Sequence, residues 1–159
     1  MSAKDIIDQL RSTGTKLFFA ESITGGLLAD AFISVPGASD VVLGSEVTYA
    51  NELKTALLGV DEELLEAKGA VSAEVATAMA QGAYAVGLAS ADLEPGKLIA
   101  VATTGNAGPS GDPAGLVFVA LYDGSKKRVI EHRFTGDRAF VRAQTVTAAI
   151  DLIREHLSR

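Results

Sequence analysis

The feature that most constrains this chain is a short apolar run that ends abruptly in small polar residues and two glycines. Residues 17–20 suit one buried strand, residues 22–26 have the composition of a tight turn, and a helical apolar pattern begins at Leu27. Open α/β sheets are built from this order of strand, turn and helix, and they bind ligands at the carboxyl ends of their strands. The first turn of such a helix also offers unpaired N–H groups, which favour an anion. The stretch therefore predicts a ligand site.

The rest of the chain predicts an α/β fold with helices wrapped on a mixed sheet of about five strands. Early strands are separated by helices and should be parallel, whereas the last two flank a short glycine turn and should form an antiparallel hairpin. An alanine-rich helix over residues 73–89 should pack closely on its neighbours. The last helix should bury a stripe that includes Phe140 and Val141. Four residues are expected to cap helix N-termini: Asn51, Asp61, Ser72 and Asp137.

Composition excludes several classes of function. The 159 residues, 48% hydrophobic and 21% charged, fit a single domain over residues 1–159. A net charge of −6 without a substantial basic cluster argues against a nucleic-acid partner. The absence of cysteine excludes disulfides, thiolate metal sites and a cysteine nucleophile, and two isolated histidines give no support for a metal. No apolar run has membrane-spanning length and residues 1–9 do not resemble a signal peptide, so we expect a soluble, cytoplasmic protein.

Three segments are candidates to converge on one crevice: residues 22–26, 49–54 and 104–109. Neither glycine turn matches a P-loop or a dinucleotide fingerprint. Ser22 is the best-placed nucleophile, but a serine hydroxyl needs a base. His132 and His156 are expected at the surface or an edge, which leaves a lysine such as Lys54 if burial lowers its pKa. By base rate alone, Ser22 would be a helix cap and Lys54 a solvated lysine.

Six ordered motifs carry a family resemblance. They lie at residues 20–26 (AESITGG), 35–39 (VPGAS), 47–54 (VTYANELK), 57–60 (LLGV), 69–72 (GAVS) and 136–138 (GDR). Together they resemble the CinA C-terminal domain family, whose characterised enzymes are nicotinamide-nucleotide amidases, over nearly the whole chain. The resemblance implies a three-layer α/β/α fold, a homo-oligomer and no cofactor. The implied reaction hydrolyses the carboxamide of nicotinamide mononucleotide, a small-molecule nucleotide, to nicotinic acid mononucleotide and ammonia in pyridine nucleotide salvage.

The resemblance also implies roles for single residues. Ser22 is the expected nucleophile, Lys54 its base or a group that positions the attack, and Tyr49 an aid to proton transfer. Backbone N–H groups at the glycine turns would hold the oxyanion or the phosphate. Whether an acyl-serine forms or water attacks directly is open, as is the choice of Arg138 or Arg142 for the phosphate. The expected substrate contacts are Glu21, Thr24, Gly25, Gly26, Asn51, Thr104, Gly105, Asn106, Ala107, Gly108 and Arg142.

Four departures from the family pattern leave alternatives open. Ile23 stands where the family usually has cysteine, Asn106 where it has an aliphatic residue, and Glu46 places an acid near the expected site. The segment over residues 110–115 is also short. One alternative is therefore an amidase with a shifted amide substrate. Another is a catalytically silent binding or assembly module of the same fold.

Overall fold

In a computed structural model that describes residues 2–111 and 113–159, the chain forms helices on a single five-stranded sheet. Met1 and Asp112, which belong to the expected N-terminal segment and the short 110–115 segment, lie outside the described residues. A 3-10 turn spans Ala38–Asp40. The other elements are α1 (Ala3–Thr13), β1 (Lys16–Glu21), α2 (Leu27–Ile33), β2 (Val42–Val47), α3 (Asn51–Leu58), α4 (Glu62–Lys68), α5 (Ala73–Ser90), β3 (Leu98–Gly105), β4 (Leu116–Tyr122), β5 (Lys127–Arg133) and α6 (Arg138–Leu157).

The sheet is mixed, as predicted. Its strand order is β2-β1-β3-β4-β5. β1 runs parallel to both β2 and β3, while β3, β4 and β5 are successively antiparallel. The carboxyl ends of β1, β2 and β3 therefore meet at one edge of the sheet, which is where open α/β sheets bind ligands.

Alternating side chains of the strands form two separate cores. On β1, Leu17 and Phe19 pack with α1, α2 and α6 in one core, and Phe18 and Ala20 pack with α5 in the other. This alternation follows from the two-residue period of a strand. Helices cover both faces of the sheet, which confirms the α/β/α architecture.

The alanine-rich helix α5 lies close to its neighbours because small side chains meet there. Ala76, Ala80 and Ala83 share a core with alanines of β1, β3 and β4. At Gly82, a Cβ atom would lie only 1.9 Å from the carbonyl oxygen of Leu58 on α3. Glycine is thus required at this position by the approach of α3, and the predicted close packing is confirmed.

Local expectations are mostly confirmed, with three corrections. Asp61, Ser72 and Asp137 each cap a helix through a side-chain hydrogen bond. Asn51 does not: Ala50 is the N-cap and Asn51 is the first helical residue of α3. Phe140 is 48% exposed, because it lies one residue, or about 100° around the helix, from the buried stripe that begins at Val141.

The third correction concerns strand ends, since the apolar patterns of the sequence predict strands over residues 41–49 and 98–103. β2 ends at Val47, so Tyr49 lies beyond the strand, whereas β3 continues through Thr104 and Gly105. Hydrogen bonds to β4 extend β3 here, and this pairing partner is distant in sequence. Among the described residues, no helix has the length and apolar character needed to cross a membrane.

Candidate active site

The three predicted segments converge at the carboxyl edge of the sheet. Ser22 directly follows β1, and its backbone N–H donates to the carbonyl of Thr103 on β3 (3.1 Å). Thr48 follows β2, and its N–H donates to the carbonyl of Glu21 (2.9 Å). Lys54 reaches the same point from α3. Parallel strand topology thus brings residues more than 80 positions apart into one crevice.

Lys54 is the central side chain of this crevice. It is 1% exposed, and its Nζ lies 3.2 Å from Ser22 Oγ, 2.7 Å from the Thr48 carbonyl oxygen and 3.2 Å from the Tyr49 carbonyl oxygen. Burial lowers the pKa of Lys54 below its ordinary value, while the charge of Glu52 acts weakly in the opposite direction. In the part of the chain that the structure describes, no carboxylate is among the hydrogen-bond partners of Nζ. Lys54 therefore loses its proton more readily than a lysine in water does.

The three contacts of Lys54 suit both of its protonation states. As an ammonium it donates one N–H to each of the three oxygens, including Ser22 Oγ, and as a neutral amine it can accept from Ser22 instead. A neutral amine has two N–H donors and one lone pair. When the two carbonyl oxygens accept its N–H groups, the lone pair is directed to the third neighbour, the Ser22 hydroxyl. Ser22 can then donate its proton to Nζ. The arrangement is suited to general-base activation of a serine nucleophile.

The burial of Lys54 predicts a pH dependence of stability. Between the lowered pKa of the folded state and about 10.5, the ordinary value, the unfolded chain binds more protons than the folded protein. Stability should therefore rise with pH across this window, by at most about 1.4 kcal/mol per pH unit for one proton. Denaturant unfolding of wild type and Lys54→Met at several pH values measures the difference between them. A difference that does not change with pH would contradict the prediction.

Glu21 is buried beneath the turn and is fully engaged by the protein. It is 0% exposed. Its Oε1 accepts from the N–H groups of Leu28 (2.8 Å) and Gly26 (3.2 Å) and from Thr24 Oγ1 (2.7 Å). Its Oε2 accepts from the N–H of Ala29 (3.2 Å) and from Ser45 Oγ (2.8 Å).

The carboxylate of Glu21 thus occupies the anion position predicted at the start of α2. A helix N-terminus stabilises a negative charge, and here the protein supplies that charge itself. The expected contact of Glu21 with substrate does not fit this burial. The N–H of Gly26 is likewise taken, and the N–H of Gly25 donates to the Ser22 carbonyl (3.2 Å). The turn is therefore braced by its own polar groups.

Thr24 extends this network to β3. Its hydroxyl is buried and lies 2.8 Å from Thr103 Oγ1. Because the single Thr24 hydroxyl proton is directed to Glu21, Thr103 is the donor in this pair. Thr24 thus holds the turn onto β3 through its side chain.

The two arginines of α6 have different partners. Arg142 donates from Nε to the carbonyl of Ile23 (2.9 Å) and from a terminal nitrogen to that of Thr24 (3.2 Å). Arg138 donates to the carbonyl of Gly108 (3.0 Å) and to the hydroxyl of Tyr49 (3.3 Å). The carbonyl of Tyr49 contacts the buried Lys54, but its side chain is 65% exposed. The ring therefore lies on the solvent side of the site, which we call the mouth of the crevice. Arg142 thus contacts the turn over residues 22–26, which we call the nucleophile turn, whereas Arg138 lies at the mouth of the crevice.

The polar and buried groups of the second glycine turn, residues 104–109, mainly contact other groups of the protein. The Thr104 hydroxyl is buried and donates to the Ala70 carbonyl (2.7 Å), and Ala107 lies in the core. Asn106 Oδ1 accepts the N–H of Gly108 (2.9 Å), which braces the turn. At Gly105, a Cβ would lie 3.0 Å from the side chain of Ile23, so a small residue is needed there. Asn51, the remaining expected contact, is exposed at the start of α3.

The histidines lie outside the crevice. His132 is on β5, where its ring stacks on Phe134 with centroids 5.2 Å apart. His156 Nε2 lies 3.3 Å from Asp123 Oδ2, in the β4–β5 turn at the opposite end of the sheet. Within residues 2–111 and 113–159, no three histidine or carboxylate side chains are grouped to hold a metal ion.

Some residues of the site escape local reasoning. Ser45 and Thr103 hold the Glu21 network, and the carbonyl of Thr48 orients Lys54. Ser45 and Thr103 are ordinary strand residues, and a carbonyl carries no sequence signal at all. The position of Thr103 at the end of a predicted strand is the one available indication, since strand ends meet at the crevice.

Fold and site together define an α/β/α protein with a buried serine–lysine pair at the carboxyl ends of parallel strands. The model of the CinA C-terminal domain matches residues 1–157. A CinA-like protein from Geobacter metallireducens is 46% identical over 151 residues, which are 92% of this chain and 35% of that protein. This chain belongs to the CinA C-terminal domain family. It spans about a third of the length of the curated relatives it matches.

Solved structures agree with this assignment. The competence damage-inducible protein A (ComA) from Klebsiella pneumoniae superposes with a TM-score of 0.87 at 30% identity, covering 100% of this chain and 99% of that one. The competence/damage inducible protein CihA from Agrobacterium tumefaciens superposes with a TM-score of 0.83 at 37% identity, covering 96% and 92%. The α/β/α fold is therefore shared along almost the whole chain.

Proposed function

We propose that this protein is an amidohydrolase that converts nicotinamide mononucleotide to nicotinic acid mononucleotide and ammonia. The observation that carries the proposal is the contact of the buried Lys54 amine with the Ser22 hydroxyl. Membership of the CinA C-terminal domain family and the retained Tyr49 add support. The same contact counts against a catalytically silent module, in which neither side chain would need the other.

In the proposed reaction, Ser22 Oγ attacks the carboxamide carbon while its proton passes to Lys54 Nζ. The carbonyl electron pair moves to oxygen, which gives a tetrahedral intermediate. The Lys54 ammonium then donates its proton to the amide nitrogen, the C–N bond breaks and ammonia leaves. Water attacks the resulting ester with Lys54 again as base, which releases the acid and restores Ser22.

We assign the substrate phosphate to Arg138 rather than to Arg142. Arg142 is committed to two backbone carbonyls of the nucleophile turn. Each arginine uses two of its five N–H donors within the protein, but Arg142 is half-buried, whereas the side chain of Arg138 is exposed at the mouth of the crevice. A guanidinium with donors remaining beside an aromatic hydroxyl suits a nucleotide phosphate. Tyr49 would then contact the nucleotide at the same place.

The test is ammonia release from nicotinamide mononucleotide by the purified protein. Wild type should release ammonia and form the acid in equal amounts. Ser22→Ala is the matched control, because it removes only the hydroxyl of a buried residue. Release by wild type that does not exceed that of Ser22→Ala would reject the proposal.

A second candidate is an amidase with a different amide substrate. The observation in its favour is the second glycine turn, where Asn106 braces a loop that departs from the family pattern. Because this loop adjoins Arg138 through Gly108, it would change the shape of the substrate end of the crevice. A panel of nucleotide and non-nucleotide amides distinguishes the two candidates. Activity confined to nicotinamide mononucleotide would reject the second one.

We also propose that the protein acts in pyridine nucleotide salvage in the cytoplasm, as a homo-oligomer. The family resemblance motivates this proposal. Two large apolar side chains at the surface, Ile33 (58% exposed) and Phe140, are compatible with an interface.

A further inference from the structure

Both Glu21 and Arg142 form hydrogen bonds to the backbone of the nucleophile turn, and two N–H groups of the turn remain without a partner among the described residues. From below, Glu21 accepts the N–H of Gly26, and the N–H of Gly25 donates to Ser22 within the turn. From α6, Arg142 donates to the carbonyls of Ile23 and Thr24. In the part of the chain that the structure describes, the N–H groups of Ile23 and Thr24 have no protein acceptor.

Peptide geometry connects Arg142 to one of these groups. In a planar trans peptide, the C=O of one residue and the N–H of the next point in opposite directions. Arg142 holds the carbonyl of Ile23, so the N–H of Thr24 is directed away from the guanidinium. A carbonyl bound to a cation also polarises its peptide, which strengthens that N–H as a donor. Both unpaired N–H groups belong to the two residues that follow the nucleophile.

The position of Gly25 supports this arrangement. Its backbone has φ +56°, a value that residues with a side chain rarely adopt. A Cβ atom at this position would also lie 3.2 Å from a terminal nitrogen of Arg142. A glycine therefore permits both the shape of the turn and the close approach of the guanidinium. The turn and Arg142 form one unit although they lie 116 to 120 positions apart in the sequence.

We propose that Arg142 is a positioning residue that orients the Ile23–Thr24 peptide, so that the N–H groups of Ile23 and Thr24 bind the oxyanion formed when Ser22 attacks an amide. This inference rests on the proposed amidase function. Arg142 itself does not touch the substrate. Loss of one oxyanion donor lowers kcat by about 10²–10³-fold in enzymes of this kind.

The first test separates kcat from KM. For Arg142→Gln we expect kcat on nicotinamide mononucleotide to fall by about 10²-fold, with KM and the affinity for the product acid nearly unchanged. Arg142→Lys keeps a cationic donor for one of the two carbonyls but lacks the planar guanidinium that binds both. It should therefore retain more activity than Arg142→Gln, and added guanidinium should partly restore the activity of Arg142→Ala. Arg133→Gln, on the exposed β5, is the matched control. A rise in KM without loss of kcat would overturn the inference and indicate a substrate contact.

The second test does not depend on the substrate. A fluorophosphonate probe should label Ser22: the Ser22 Oγ–P bond forms, fluoride leaves with its electron pair and the serine proton passes to Lys54. The P=O oxygen then occupies the oxyanion position, so labelling of Arg142→Gln should be at least about 10-fold slower, as measured by intact mass. Circular dichroism confirms that the variants are folded.

The outcomes separate the two proposals. Arg142-dependent labelling without ammonia release would reject nicotinamide mononucleotide as substrate and support the role of Arg142. Labelling of a folded Arg142→Gln at the wild-type rate would overturn that role, even if the amidase activity is present. A wild type that is neither labelled nor active would reject both.

Discussion

Replacing Lys54 by methionine is expected to lower kcat/KM on nicotinamide mononucleotide by about 10³-fold or more. Methionine has a similar shape, so it fills the buried space of the lysine side chain but offers no proton acceptor to Ser22. Wild-type activity should also rise with pH through the lowered pKa of Lys54, since the neutral amine is the active form. Initial rates of ammonia release across pH measure both effects.

The control for this prediction is Lys68→Met. Lys68 is exposed on α4 and makes no contact with Ser22, so its replacement should leave the rate unchanged. A Lys54→Met variant that keeps a tenth or more of wild-type activity would exclude Lys54 as the base. Ser22 would then have to be activated by another group or serve only as a cap.

Replacing Glu21 by glutamine is expected to lower the free energy of unfolding by about 2–4 kcal/mol. Glutamine keeps one oxygen acceptor, but its NH₂ group would face N–H or hydroxyl donors that now lack an acceptor. At either oxygen of Glu21, backbone N–H groups of α2 are among these donors. The change also removes the negative charge from the start of α2.

Urea unfolding of Glu21→Gln measures this loss, and Glu66→Gln on the exposed face of α4 is the control. The control should stay within about 0.5 kcal/mol of wild type. If Glu21→Gln unfolds like the control, the Glu21 network does not brace the turn. A destabilised but folded variant should also lose activity, because the same network positions the residues that follow Ser22.

Features that depend on contacts between residues close together in the chain could be predicted from the sequence. The caps at Asp61, Ser72 and Asp137 bond backbone groups two or three residues away, so their pattern is visible locally. Asn51 shows the limit of such reasoning. Its residue type suits a cap, but the chain enters α3 one residue earlier.

The nucleophile turn shows how local and distant information combine. Strand, turn and helix around Ser22 were predictable, as was the need of Ser22 for a base other than histidine. The expectation that the start of α2 binds an external anion does not fit the structure, because the side-chain carboxylate of Glu21, the last residue of β1, accepts the N–H groups there. Only the packing of β1 under α2 determines that the anion is internal.

The choice between the two arginines shows the same limit. Arg138 and Arg142 lie four residues apart on one helix and are equivalent in sequence terms. One contacts the mouth of the crevice and the other the nucleophile turn, because the two side chains lie about one helical turn apart along α6 and meet different loops from distant parts of the chain. The resemblance makes Arg142 a candidate for the phosphate and leaves the choice between the two arginines open.

By itself, the sequence determined the elements, their periodicity and the glycine turn, since these depend on neighbours within a few residues. It also made Ser22 and Lys54 candidates, through the position of Ser22 after a strand, the lack of cysteine and of a well-placed histidine, and the family resemblance. The tertiary structure alone decided the strand order, the lowered pKa of Lys54, the internal charge of Glu21 and the different partners of Arg138 and Arg142. The physical reason is that burial and hydrogen-bond partners are properties of groups brought together from distant positions. The turn after β1 was predicted as a nucleophile site, and its surroundings now give that prediction a specific chemistry.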